Sequence, residues 1–309
     1  MYSGFFGLTS APFSIAPNPD FMYLSPRHAE ALAHLRFGLG EAGGFVLLTG
    51  EVGTGKTTVS RCLLQELDER AEVAFILNPT LSELELLAAI CDELKIRYKK
   101  TDASLKLLGD KIKNRLLKNH AAGKHTLLII DEAQHLQPAV LEQLRLLTNL
   151  ETNTRKLLQV ILIGQPELQQ LLKRNDLRQL AQRITARYHL LPLNLSEVQQ
   201  YVRFRLKVAG CERPVFNDKA VKKLFELSGG IPRLLNLLAD RALLAAYGKQ
   251  QAVVDAKEVQ RAAAEILPLN QASSVAKTLP GWLWPLLALF GIILGFLLAV
   301  QLLPIWRGE

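Results

Sequence analysis

Apolar residues recur through the chain in two alternating rhythms. Unbroken runs at Phe45–Thr49, Val73–Leu77, Thr126–Ile130 and Leu158–Ile163 are short and mostly aliphatic, the pattern of strands buried on both faces. Between them, Lys56–Arg70, Leu84–Leu94, Ser104–Ala121 and Ala139–Asn149 carry apolar positions at helical spacing, and another helix is predicted around Pro26–Leu39. Strands alternating with helices predict an α/β fold, a parallel sheet wound on both sides. After a short strand at Tyr188–Leu191 the rhythm changes. Ser196–Val208, Asp218–Leu227, Pro232–Tyr247 and Asp255–Ile266 read as helices with no strand among them, a small all-α lid. The expected organisation is a base at 1–193 that includes a Pro- and aromatic-rich N-terminal segment, a lid at 194–266 and a polar linker at 267–280.

A third rhythm follows. Trp282–Val300 is a nineteen-residue apolar run, and no charged residue occurs from Thr278 to Trp306. As a helix it spans about 28 Å, close to a hydrocarbon core. Trp282, Trp284 and Trp306 flank it, where indole rings prefer to sit. A single transmembrane helix is predicted over 281–306, with the lipid bilayer as a partner. No basic segment precedes an apolar run at the N-terminus, so no secretory signal peptide is expected.

Charge sharpens the picture at one place. Residues 95–124 hold ten Lys or Arg against Asp102 and Asp110, which accounts for the whole net charge of +8. The three cysteines (Cys62, Cys91 and Cys211) have no metal-ligand or disulfide-framework spacing, as expected in a reducing compartment.

The candidate chemistry sits at the strand ends. Gly50-Glu51-Val52-Gly53-Thr54-Gly55-Lys56-Thr57 matches GxxxxGK[ST] and lies between a predicted strand and a helix, the context in which that motif cradles phosphates. Gly50, Gly53, Thr54, Gly55, Lys56, Thr57 and Thr58 form the expected nucleotide-binding set. Backbone N–H groups and the helix N-terminus face the phosphates, with Lys56 on the β- and γ-phosphates. Leu127–Ile130 ends in Asp131-Glu132. Asp131 and Thr57 are the expected Mg²⁺ ligands, and Glu132 the group that orients or deprotonates the attacking water. No Asn-Lys-x-Asp element reads guanine, so ATP with Mg²⁺ is the expected cofactor pair. Gln165 follows the apolar strand, where a polar side chain can sense the γ-phosphate. Arg183 and Arg187 precede the last strand, and Arg233 opens a lid helix. An arginine from a neighbouring subunit supplies charge to a phosphoryl-transfer transition state, so a homo-oligomer is expected.

These motifs, in order, resemble an AAA+ ATPase, and more narrowly the ExeA-type family of general secretion pathway A proteins. The matching stretches include FFGL, PFSI, YLSPRH, GGFVLLTGEVGTGKTT, DEAQ, LLTNLET, ILIGQPEL and LRQLAQRITARYHL, across residues 1–265. The resemblance implies that Arg233 is the sensor 2 arginine, Gln165 the sensor 1 residue, and Arg183 or Arg187 the arginine finger. It implies an inner-membrane ATPase, single-pass, with its ATPase domain in the cytoplasm. Such an enzyme works with an inner-membrane partner protein of the same secretion system in assembling a type II secretion apparatus and its secretin. Family members commonly carry a periplasmic peptidoglycan-binding domain. The sequence stops three residues after Trp306, so peptidoglycan is not expected as a ligand. The alternatives are a related ATPase of type IV pilus biogenesis or a DNA-dependent AAA+ ATPase of the transposition-regulator type. The basic 95–124 segment favours the latter, but nucleic acid is not the expected partner, because a membrane anchor is out of place there.

Overall fold

The computed structural model describes residues 2–16, 18–39, 44–77, 79–151 and 156–266. Met1–Ala263 form one compact unit. The linker and the apolar run predicted to cross a membrane lie outside the described residues, among which no helix is long and apolar enough to span a bilayer.

The sheet has five strands: β1 (Phe45–Gly50), β2 (Ala71–Ile76), β3 (His125–Ile130), β4 (Gln159–Gly164) and β5 (Ile184–Leu190). Their order is β2-β3-β4-β1-β5 and every pairing is parallel. Twelve α-helices lie among the described residues. The first eight are α1 (Ser3–Phe6), α2 (Pro26–Gly38), α3 (Lys56–Glu66), α4 (Glu83–Glu93), α5 (Leu105–Ala121), α6 (Pro138–Leu147), α7 (Pro166–Leu171) and α8 (Arg178–Ala181). The last four are α9 (Leu195–Val208), α10 (Asp218–Ser228), α11 (Pro232–Gly248) and α12 (Ala256–Ile266).

Strand alternation divides the core in two. Phe45, Leu47, Leu128, Ile130, Val160 and Leu162 face one layer, built from α4, α5, α6 and the short helices after β4. Val46, Leu48, Leu127, Ile129, Ile161 and Ile163 face the other, where α2 and α3 pack. Both layers are enclosed, so β1, β3 and β4 read as unbroken apolar runs. The edge strands differ. β2, predicted as buried on both faces, is largely half-buried, with only Ala74 and Ile76 enclosed. β5 starts four residues earlier than its apolar run suggests, because Thr185, Arg187 and His189 point outward from an edge. The helix predicted to reach Arg70 ends at Glu66, where Leu67 turns to extended backbone. α1, α7 and α8 are too short to show a period.

Two glycines lie between α10 and α11. Gly229 ends α10 at φ 59°, and Gly230 follows at φ 76°. A Cβ on Gly230 would lie 1.9 Å from the Leu193 carbonyl oxygen, so only glycine fits. Leu193 N–H donates to the Gly230 carbonyl at 2.9 Å, which fixes the start of α11 beside the end of β5. The Pro- and aromatic-rich N-terminal segment packs on α9. Buried Arg205 donates to the carbonyls of Pro12, Ser14 and Phe21, and its guanidinium lies 4.7 Å from the Phe21 ring centroid.

Candidate active site

β1 and β3 end on either side of β4, so the P-loop, Gln165 and Asp131-Glu132 converge at one edge of the sheet. Gly53 and Gly55 have φ of 81° and 103°, values that L side chains rarely adopt. The Thr54 hydroxyl donates to the Glu51 carbonyl at 2.9 Å and closes the loop. Gly55 caps α3 with no side-chain partner, which leaves first-turn N–H groups free for an anion.

Lys56 is only 6% exposed. Its Nζ donates to the carbonyls of Gly50 and Glu51 at 2.9 and 3.0 Å. Burial pulls its pKa below the ordinary lysine value, against the raising influence of Glu132, Asp131, Glu51 and Glu167. An enclosed ammonium resting on neutral carbonyls can be attracted strongly by an incoming phosphate.

Thr57 Oγ1 donates to Asp131 Oδ2 at 2.9 Å, and Asp131 is 3% exposed. The pair offers hard oxygen ligands of the kind Mg²⁺ takes, with a single carboxylate, as in sites completed by substrate phosphates and water. Asp131 Oδ1 accepts the Glu132 N–H at 2.9 Å. This contact accompanies an unusual backbone, since Glu132 is a non-glycine residue at φ 54°. The Glu132 carboxylate accepts from Gln134 Nε2 at 2.6 Å and from Gln165 Nε2 at 3.2 Å. Burial alone would raise its pKa, but these amides, Lys56 and His135 hold it below the ordinary glutamate value.

Arg233 reaches the same place from the start of α11. Its backbone N–H donates to the Gly53 carbonyl at 3.3 Å, and a Cβ on Gly53 would lie 2.6 Å from the Arg233 Cβ. Lys56, Thr57, Thr58, Glu132 and Arg233 line one cleft of about 490 Å³, within the range of small-molecule sites. Arg183 and Arg187 are not brought to it. Ile184 pairs with Phe45, so Arg183 enters at the opposite end of the sheet, about 17 Å along β1 from the P-loop. Arg183 Nη1 donates to the Arg145 carbonyl and Thr148 Oγ1, and Arg187 Nη2 to the Ala181 carbonyl.

Three neighbours were not legible from the motifs. His28 on α2 is buried, with Nε2 3.0 Å from the Thr54 carbonyl and Nδ1 2.8 Å from Ser25 Oγ. Burial holds its pKa down, and the ring buttresses the P-loop through the Thr54 carbonyl. Gln134 and Arg205 are the other two, the latter lining the cleft through α9. His28 stands in the SPRH stretch and Gln134 in DEAQ, but neither residue type at that spacing signals its contact.

Strand order, P-loop and paired acids define a P-loop domain of the AAA type, and residues 40–172 match the AAA domain family. The chain is also 64% identical over 266 residues to General secretion pathway protein A of Aeromonas hydrophila, an alignment covering 86% of this chain and 48% of that protein. The chain therefore carries an AAA-type domain and is homologous to that protein, and it spans about half the relative's length. Cdc6p of Pyrobaculum aerophilum superposes with a TM-score of 0.68 at 18% identity, covering 83% of this chain and 70% of that one. Drosophila ORC bound to DNA does so with a TM-score of 0.64 at 20% identity, over 87% and 67%. At these identities the two structures share only the fold.

Proposed function

We propose that this chain binds ATP in the cleft and hydrolyses it with Glu132 as base, and that the cycle drives assembly of a bacterial secretion apparatus at the inner membrane. The single observation that carries the reading is the Thr57–Asp131–Glu132 chain of contacts beside an enclosed Lys56. Lys56 leaves its carbonyls for the β- and γ-phosphates, while the N–H groups at the start of α3 hold the remaining oxygens. Thr57 and Asp131 would hold Mg²⁺, which when bound offsets charge on the phosphate oxygens. Glu132 takes a proton from the attacking water. Gln165 senses the γ-phosphate, and Arg233 moves with the lid at 194–266 against the base at 1–193. Arg183 or Arg187 serves the site of a neighbouring copy, since neither reaches its own.

The secretion role is supported by the identity to General secretion pathway protein A. The run at Trp282–Val300 supports a single membrane anchor at 281–306, joined by the 267–280 linker, with residues 1–277 in the cytoplasm where ATP is available. A pull-down from detergent-solubilised membranes with ATP tests the role. Glu132→Gln protein should retain an inner-membrane protein of the secretion system, and Lys56→Ala protein should not. Recovery of the same proteins with both variants would overturn nucleotide-coupled assembly.

A further inference from the structure

We propose that Gln134 is a positioning residue for hydrolysis: its side-chain amide spans the end of β4 and the Glu132 carboxylate and sets which carboxylate oxygen faces the reacting water. The proposal deepens the reading of Glu132 as base and rests on it. Gln134 Nε2 donates to Glu132 Oε2 at 2.6 Å, while its Oε1 accepts the Gln165 backbone N–H at 3.1 Å. One side chain thus bridges the residue assigned to the water and the residue assigned to the γ-phosphate.

The seat for this amide is built. A Cβ on Gly164 would lie 2.8 Å from Gln134 Oε1 and equally close to Leu168 Cδ2, so the glycine at the end of β4 makes room for it. The Gln165 side chain donates to Oε2 of Glu132 as well. Both amides therefore grip the same oxygen, and among the described residues Oε1 of Glu132 has no hydrogen-bond partner. Oε1 is left to accept from water. The backbone of Glu132 is left-handed, rare for a non-glycine residue, and Asp131 Oδ1 holds its N–H there, while the two amides hold its carboxylate. Gln134 needs a donor at one end and an acceptor at the other. Leucine provides neither, glutamate cannot donate, and asparagine is about 1.5 Å too short to reach both.

The test is steady-state and single-turnover ATP hydrolysis by the full chain in detergent, with ATP affinity measured in parallel. Gln134→Leu, close to glutamine in volume, should lower kcat about tenfold and leave KM and the ATP Kd within about twofold. In the Glu132→Gln background the same change should cost nothing further, since Gln134 acts through Glu132. Gly164→Ala crowds the seat without altering Gln134 and should lower kcat in the same selective way. Gln134→Met is the second variant should Gln134→Leu fail to fold. A tenfold loss in both backgrounds would make Gln134 a structural residue and overturn the proposal, as would wild-type kcat for Gln134→Leu. If Glu132→Gln itself hydrolyses at the wild-type rate, the reading of the base fails, and this proposal fails with it.

Discussion

Replacing Lys56 with alanine should separate nucleotide binding from folding. In the free protein the ammonium is enclosed and, among the described residues, hydrogen-bonded to the Gly50 and Glu51 carbonyls. Burial disfavours its charge, so its removal relieves a desolvation cost while water re-solvates two carbonyls that border an open cleft. The melting temperature without nucleotide should therefore move by no more than about 3 °C. With ATP the same charge meets phosphate. Truncating one partner of a buried charge pair costs about 2–5 kcal/mol, or about 30- to 4,000-fold in Kd at 1.4 kcal/mol per tenfold. At a ligand concentration about 100 times the wild-type Kd, binding adds about 2.7 kcal/mol, a rise of about 5–10 °C for a chain of this size. Under the same conditions Lys56→Ala should rise by less than about 3 °C. Thermal unfolding with and without ATP, paired with calorimetric titration, reads both quantities. An ATP-induced rise equal to the wild type would refute the placement of phosphate on Lys56. A collapse of the nucleotide-free melting temperature would refute the account of the lysine as a poised charge.

If Arg183 or Arg187 acts in a neighbouring copy, specific activity should rise with protein concentration to a plateau, and an arginine variant should regain activity when mixed with excess Lys56→Ala chains. Concentration-independent activity would remove the trans role. Glu72 accepts from Arg115 and Asn119; burial raises its pKa, and these partners bring it below the ordinary glutamate value. A depressed carboxyl contributes stability above its unfolded pKa and loses it as pH falls through the folded value. Glu72→Gln should therefore lower the melting temperature at pH 7 by about 2–4 °C, for about 1 kcal/mol, and the gap should narrow as pH falls below the ordinary glutamate range. A gap that stays constant as the pH is lowered would show that the contact does not depend on the carboxylate.

The fold was legible wherever burial is complete. β1, β3 and β4 are enclosed on both faces, so their apolar runs marked them almost to the residue. β2 and β5 are edges, where half the positions answer to solvent, and the run at Tyr188–Leu191 understated a strand that begins at Ile184. In the site, Lys56, Thr57, Asp131 and Glu132 were readable because phosphate chemistry demands those types at fixed spacing. Gln165 and Arg233 were readable as polar groups at a strand end and a helix start, and the structure brings both to the P-loop or to Glu132. His28, Gln134 and Arg205 were not, because each acts through a contact made by tertiary packing. His28 meets Thr54 across 26 positions, and Arg205 meets Ser14 across 191.

The central claim is that Glu132 performs the hydrolytic step on an ATP held by Lys56 and Thr57. Phosphate release by wild-type and Glu132→Gln protein, with ATP affinity measured on the same samples, tests it most directly. The account predicts that Glu132→Gln binds ATP within a few-fold of the wild type and turns it over about 100-fold or more slowly. Turnover by Glu132→Gln at the wild-type rate, or a wild-type protein that binds ATP and releases no phosphate, would contradict it.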